Sequence, residues 1–263
     1  MIRIVINGAD GRMGRAVAAA ALETDDVGVV GGVTPDHDGF VIPGWPDAPV
    51  AAGLDGVSVD FDVLVDFSRP EGAEAAARHC AAGGHALVTG TTGLGPKQLE
   101  AINMASRSVA VIAAPNFSVG ITMLLELVER AAHSLGPEVD VEILEAHHRH
   151  KADAPSGTAL RLGEAVAAQR GVDIDRVACF DRRAEEGPRT EGSIGFASLR
   201  AGDVIGEHQV LFGWPGERLE LSHRASDRGI FARGALRAVR WATTRGPGRY
   251  DMRDVLGLKG ADA

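Results

Sequence analysis

The chain has 263 residues, 45% hydrophobic and 24% charged, a balance that suits a globular protein with a substantial core and two modest domains. Its net charge of −9 and the absence of a basic stripe exclude a nucleic-acid partner, and no apolar run approaches the ~18 residues that would span a bilayer. Met1-Ile2-Arg3 leads into a strand rather than a signal peptide, and Cys80 and Cys179 form no spaced motif. Two free thiols in a reducing, cytoplasmic compartment are expected, with no membrane partner.

Arg3–Asn7 reads as a short buried strand, followed by Gly8-Ala9-Asp10-Gly11-Arg12-Met13-Gly14 and a helix from about Arg15 to Leu22. The glycines depart from strict G-x-G-x-x-G, yet strand, glycine turn and helix in that order are what a dinucleotide fold requires. In that reading Gly8 makes the turn, Gly11 admits a pyrophosphate and Gly14 packs helix on strand. Val27–Val33 is a second strand, and residues 34–56 form a surface connection in which Trp45 covers the core edge. Further strands at Phe61–Phe67, Ala86–Thr89 and Val109–Ala113 alternate with helices at Pro70–Ala82 and Pro96–Ser106. Such alternation predicts a Rossmann-type, doubly wound parallel sheet. Ligands of these sheets lie beyond the carboxyl ends of the strands, where Gly90–Gly93 and Ala114–Ser118 fall.

A helix after Ser118 carries the chain into a second, α+β domain. There a strand from Val139 and a helix near Leu160 precede strands at Gly192–Leu199, Ala201–Ile205, Gln209–Phe212 and Arg218–Ser222. Trp214-Pro215-Gly216-Glu217 has hairpin-turn composition, and Asp181–Glu191 is a charged connection expected to be mobile. Consecutive strands imply an open mixed sheet, which leaves one face for subunit packing. Residues 231–244 return to helix, and Tyr250–Leu256 closes the fold.

Between the Val139 strand and the following helix lies Glu145-Ala146-His147-His148-Arg149-His150-Lys151-Ala152-Asp153-Ala154-Pro155-Ser156-Gly157-Thr158-Ala159. Pro155 suits a first helical turn, and Ser156, Gly157 and Thr158 offer hydroxyls and unpaired N–H groups to an anion. Proton donors beside such a cradle point to a site that holds a carboxylate or phosphate and protonates something next to it. A metal site built from Glu145, His147, His148 and His150 is the competing reading. On a strand, however, His147 and His148 face opposite sides, and Lys151 would repel a cation.

This block, with Gly8–Gly14, Asp66-Phe67-Ser68-Arg69-Pro70, Gly90-Thr91-Thr92-Gly93 and Asn116-Phe117-Ser118-Val119-Gly120, resembles the 4-hydroxy-tetrahydrodipicolinate (dihydrodipicolinate) reductase family nearly end to end. The resemblance implies a dinucleotide-binding domain at 1–118 and 228–263, and a substrate-binding and oligomerisation domain at 119–227 in a homotetramer. It makes His147 the proton donor and Lys151 a second donor, with His148, Ser156, Gly157 and Thr158 on a cyclic dicarboxylate. It implies NADPH or NADH held by Gly8, Ala9, Asp10, Gly11, Arg12, Met13, Thr34, Gly90, Thr91, Thr92, Ala114, Pro115, Asn116 and Phe117. Family members commonly carry an acidic residue, often followed by Arg, at the end of the second strand. Here those positions read Thr34-Pro35. With neither selector in place, dual cofactor use is expected, Arg12 being the candidate for a 2′-phosphate and Asp36 for a free ribose.

Overall fold

The computed structural model describes residues 1–35, 38–184 and 187–259. In chain order they form β1 (Ile2–Asn7), α1 (Arg12–Leu22), β2 (Val27–Val33), β3 (Val50–Ala51), β4 (Val63–Asp66), α2 (Pro70–Gly83), β5 (Ala86–Thr89), α3 (Pro96–Ala105) and β6 (Ala110–Ala113). Then come α4 (Val119–Leu135), β7 (Asp140–His147), α5 (Gly157–Gln169), α6 (Ile174–Val177), β8 (Ala178–Cys179), β9 (Ile194–Arg200), β10 (Gly206–Trp214) and β11 (Glu217–Ala225). Helix α7 (Gly229–Ala242), strand β12 (Gly248–Tyr250) and helix α8 (Met252–Leu256) complete the chain. Two compact units result: Met1–Val119 together with the segment from Arg228 onward, and Gly120–Asp227.

The first unit is built on a seven-stranded sheet in the order β12-β6-β5-β4-β1-β2-β3, every pairing parallel. Its strands are apolar on both faces because both are covered. Ile4, Ile6, Val63, Val65, Val88 and Ile112 pack towards α1 and α7, whereas Val5, Leu64, Leu87 and Val111 pack towards α2 and α3. The alternation follows from the twofold period of a strand. Ala18 and Ala21 on α1 and Ala235 and Ala238 on α7 are small enough for both helices to lie on one face.

Helix α1 begins at Arg12, three residues earlier than the periodicity predicts, so Gly14 lies within its first turn. A Cβ on Gly14 would come 2.2 Å from the Gly8 carbonyl oxygen and 2.8 Å from Ala9 Cα. Gly8 itself turns at φ +83°, a conformation that side chains disfavour. Strands β3 and β12 were not legible from the sequence. They are two and three residues long, too short for an alternating pattern, and exist by pairing with β2 and β6. Trp45 does cover a core edge, its indole N–H donating to Ala18 O at 3.0 Å.

The second unit carries a five-stranded sheet in the order β11-β10-β7-β9-β8. Strand β7 is parallel to β9 and antiparallel to β10, so the sheet is mixed, and β8 pairs parallel to β9. Its packed face presents Val141, Ile143, Ile194, Phe196, Val210 and Phe212 to α4 and α5. Leu144, Leu199 and Leu211 point to the other face by strand alternation, and Leu199 is 58% exposed.

Residues 201–205 do not form the expected strand. Strands β9 and β10 flank β7, so their connection must cross the end of β7, and it does so as a turn containing Gly202 at φ +48°. Ala201 N–H bonds His147 O at 3.0 Å, and Arg149 N–H bonds Gly202 O at 3.2 Å. The hairpin turn at Trp214–Glu217 joins β10 to β11 as expected. In the described part of the charged connection, Arg189 bonds Asp140 at 2.7 Å as well as Glu142, and Arg182 bonds Glu142 at 2.6 Å.

The carboxyl ends of the parallel strands are tied together by Asp66, which is fully buried. Its carboxylate accepts from Asn7 Nδ2 at 2.9 Å, Thr89 Oγ1 at 2.7 Å and Thr91 Oγ1 at 2.8 Å, and from the Ser68 hydroxyl. Asp66→Asn would turn one accepting oxygen into a donor facing other donors. Leaving such buried groups unsatisfied should lower stability by about 1–3 kcal/mol, measured by denaturant unfolding.

Candidate active site

Strand β7 delivers Glu145 and His147 to the same face of the mixed sheet, two residues apart. Register does the rest. Ser198 on β9 and His208 on β10 lie directly across from Glu145, and His223 on β11 lies across from His208. Arg200, the last residue of β9, is opposite His147.

Glu145 is 2% exposed. Arg200 grips it with both terminal nitrogens, Nη2 to Oε1 at 2.7 Å and Nη1 to Oε2 at 2.9 Å. His147 Nδ1 lies 2.6 Å from Oε2, and Ser156 N–H donates to Oε1 at 3.2 Å. Burial alone would raise the Glu145 pKa, but hydrogen bonds from Arg200, Ser198 and His147 and the Arg200 charge overcome it and hold the group at about 2. The carboxylate is therefore ionised and can only accept. His147 Nδ1 must donate to it, which leaves Nε2 as the working nitrogen. A Cβ on Gly206 would stand 3.1 Å from that Nε2, so glycine there gives the ring its room.

His208 packs edge-on against His147, ring centroids 5.2 Å apart. Burial, followed by the neighbouring His147 charge, lowers its pKa to about 4, so it is neutral at physiological pH. Its Nε2 lies 3.0 Å from Ser156 Oγ, and Ser156 Oγ accepts from Ala159 N–H at 3.2 Å as the N-cap of α5. His147, a neutral histidine and a helix cap thus form one connected group.

Several expected residues are placed differently. Helix α5 starts at Gly157, so Pro155 precedes the cap instead of occupying the first turn. Ser156, expected on the substrate, is 3% exposed and commits its N–H to Glu145 and its hydroxyl to the cap and His208. The cap serves Ala159 and the Ser156 carbonyl serves Leu160 N–H, which leaves the N–H groups of Gly157 and Thr158 for an anion. No described residue lies within 4 Å of where a Gly157 Cβ would project. Lys151 Nζ rests on Asp153 Oδ1 at 2.8 Å, and Arg200 also donates to Asp153 O at 2.7 Å. His148 is half-buried, its ring 6.3 Å from that of His150. Among the described residues no group of three His, Cys, Asp or Glu is arranged to hold a metal ion.

Arg200 and His208 are the residues that sequence reasoning missed. Each is more than 50 positions from its partner, with separations of 55 to Glu145 and 52 to Ser156. A strand ending in Arg and a histidine alternating with Val210 and Phe212 were the available signals.

In the first unit, Gly11 caps α1 without any side-chain bond, and no acidic residue occupies the first turn. That helix end keeps free N–H donors beside the β1 turn, at the point where strand order reverses between β1 and β4. Phe67 and Phe117 meet edge to face at 5.6 Å, joining the loops after β4 and β6. Ala114 and Thr91 are buried, while Arg12, Thr92 and Pro115 are exposed. These features fit a dinucleotide pyrophosphate. Thr34, expected at the ribose, is fully buried with its hydroxyl unbonded, so its side chain is turned into the protein. Asp36 lies outside the described residues.

Residues 2–117 match the family model "Dihydrodipicolinate reductase, N-terminus" and residues 120–256 match "Dihydrodipicolinate reductase, C-terminus". A 4-hydroxy-tetrahydrodipicolinate reductase of Alkalilimnicola ehrlichii is 47% identical, over 97% of this chain and 99% of its own. One from Chromohalobacter salexigens is 45% identical, over 99% of this chain and 100% of its own. The dipicolinate-bound dihydrodipicolinate reductase of a Paenisporosarcina species is similar in structure, with TM-score 0.79, 26% identity and coverage of 95% of this chain and 97% of that one. A myo-inositol dehydrogenase from Corynebacterium glutamicum, 15% identical with TM-score 0.60 over 94% and 90% of the two chains, shares the fold. Among the described residues no helix is long and apolar enough to cross a membrane.

Two buried groups make the folded state acid-sensitive. His208, at about 4 against 6.5 when unfolded, binds its proton more readily in the unfolded chain, so stability falls as pH drops from 6.5 towards 4. Glu145, at about 2 against 4.5, contributes stability that is present above 4.5 and lost as pH falls towards 2. Urea unfolding of His208→Asn should lose the higher of these two windows and keep the lower. A pH dependence unchanged from the parent chain would remove His208 as its source. With full-length matches on both units and this site between β7 and α5, the chain belongs to the dihydrodipicolinate reductase family of nicotinamide-dependent oxidoreductases.

Proposed function

We propose that the chain reduces 4-hydroxy-tetrahydrodipicolinate to tetrahydrodipicolinate with loss of water, using NADPH or NADH, in the diaminopimelate route to lysine. The observation that carries the mechanism is the His147–Glu145 hydrogen bond of 2.6 Å, which fixes an imidazole close to the N-terminus of α5, whose Ser156 N–H bonds the same carboxylate. When bound, the nicotinamide supplies the hydride. His147 gives its Nε2 proton to the reduced substrate and is returned to neutrality with its Nδ1–H still on Glu145. The N–H groups of Gly157 and Thr158, with the Thr158 hydroxyl, take one substrate carboxylate, and Lys151 leaves Asp153 for the other. His148 flanks this dicarboxylate. The dipicolinate bound to the Paenisporosarcina relative supports a ligand of that class.

Residues 1–118 and 228–263 serve as the dinucleotide-binding domain, and 119–227 as the substrate and oligomerisation domain. The backbone of Gly8, Ala9, Asp10, Gly11, Arg12 and Met13 holds the pyrophosphate end. Gly90, Thr91 and Thr92 with Ala114, Pro115, Asn116 and Phe117 hold the remainder. A cytoplasmic homotetramer is the assembly we favour. The outward Leu144, Leu199 and Leu211 support packing of sheet on sheet.

The activity is tested by following NADPH or NADH oxidation in the ultraviolet, with substrate generated in place by a coupled synthase. His147→Gln keeps a polar side chain but no titrating proton, and kcat should fall ~10²–10⁴-fold with dinucleotide affinity little changed. A variant with near-normal kcat would remove His147 from the chemistry.

Cofactor choice follows from Thr34, which brings no charge to the ribose end. The kcat/KM values for NADPH and NADH should agree within about tenfold, or about 1.4 kcal/mol. Arg12→Ala should harm NADPH more than NADH. A preference beyond about a hundredfold in either direction would reveal a selector elsewhere.

A further inference from the structure

Arg200 has no place in the proton transfer as described, yet its side chain donates to Glu145, to the Leu199 carbonyl and to the Asp153 carbonyl. Both its terminal nitrogens meet both Glu145 oxygens, and one of them also reaches the Asp153 carbonyl that precedes the α5 cap. A lone carboxylate 2.6 Å from an imidazole nitrogen would stabilise the imidazolium and make it a reluctant acid. A guanidinium is permanently charged, and its planar fork matches a carboxylate edge to edge. Here it shares Oε2 with His147, so much of the carboxylate charge that the ring would feel is answered from the other side.

We propose that Arg200 and Glu145 act as a positioning pair for His147: the carboxylate fixes the ring through Nδ1, and the guanidinium keeps that carboxylate from holding the proton too tightly. The inference deepens the reading of His147 as proton donor and rests on it. The titratable and charged groups on the elements around the ring are Glu145 on its own strand, Arg200 on β9, His208 on β10, His223 across from it on β11, and Lys151 paired to Asp153 in the following loop, with Ser156 bonded to His208 at the start of α5. Of these only Arg200 and Glu145 carry opposite fixed charges in contact with each other and, through Oε2, with the ring. Lys151 is compensated by Asp153, whose pKa is lowered by that contact. His208 is neutral, as shown above.

The pair makes a signed prediction that a merely structural anchor does not. Removing the guanidinium in Arg200→Met leaves His147 facing an uncompensated carboxylate, and the ring pKa should rise by about one unit or more. Removing the carboxylate in Glu145→Gln leaves it facing an uncompensated cation, and the ring pKa should fall by a similar amount. Arg200→Lys keeps the charge without the fork, so the pKa should stay near that of the parent while kcat drops. The ring is read directly by nuclear magnetic resonance titration of histidine-labelled protein, with folding of each variant checked by circular dichroism. Glu145→Gln is nearly isosteric and keeps the test open if Arg200→Met does not fold. Opposite shifts support the proposal, while shifts of the same sign, or none, overturn it. The alkaline limb of the kcat–pH profile is then compared with the titrations. If the ring shifts as expected and the limb does not follow, the positioning pair stands and His147 is not the acid.

Discussion

Everything at this site depends on one buried carboxylate. Taking Glu145 out of water carries a desolvation penalty of several kcal/mol, and its bonds to Arg200, His147 and Ser156 must offset it. Ion pairs of this kind are often no more stabilising than apolar residues of equal volume. Stability is thus a poor explanation for it, and geometry a better one. The carboxylate fixes the tautomer of His147, ties the end of β9 to the end of β7, and holds the residue that caps α5. Loss of either partner would leave an uncompensated charge in a place where Glu145 is only 2% exposed. The crossing turn at 201–205 belongs to the same constraint, since its bond to the His147 carbonyl pins the backbone whose side chain the carboxylate pins.

The first unit solves a similar problem with different chemistry. Asp66 is as deeply buried as Glu145, but its described hydrogen-bond donors are a side-chain amide, a backbone N–H and hydroxyls. Several neutral donors can hold a carboxylate without a cation when they converge from separate strands. Charged side chains stay at the rim. Arg15 donates to Asp10 O at 2.8 Å and stacks over Phe40, while Arg12 is exposed.

The two units also differ in how they bury their sheets. The all-parallel sheet is covered on both faces by helices, and its strands are apolar throughout. The mixed sheet has its described core on one face only, so Leu199 on the other is left 58% exposed. A second copy covering that face would join sheet to sheet, which is the economy that open sheets offer an oligomer.

Local signals were enough to read the alternating strands and helices of the first unit, the change of pattern near Val139, and the block from Glu145 to Ala159. Those are properties of consecutive residues: twofold and 3.6-fold periodicity, turn residues, and a helix start. Short strands such as β3 and β12 escaped because two or three residues carry no period. The strand expected at 201–205 failed because apolar residues there serve a crossing whose path is set by sheet order. The burial of Ser156 and Thr34 was not legible, because sequence shows which groups a residue owns and not where the fold turns them. What only the tertiary structure decided is the company of His147. Arg200 is opposite it and His208 beside it because β9 and β10 flank β7 in one register, and no pattern within a strand records which strand lies alongside.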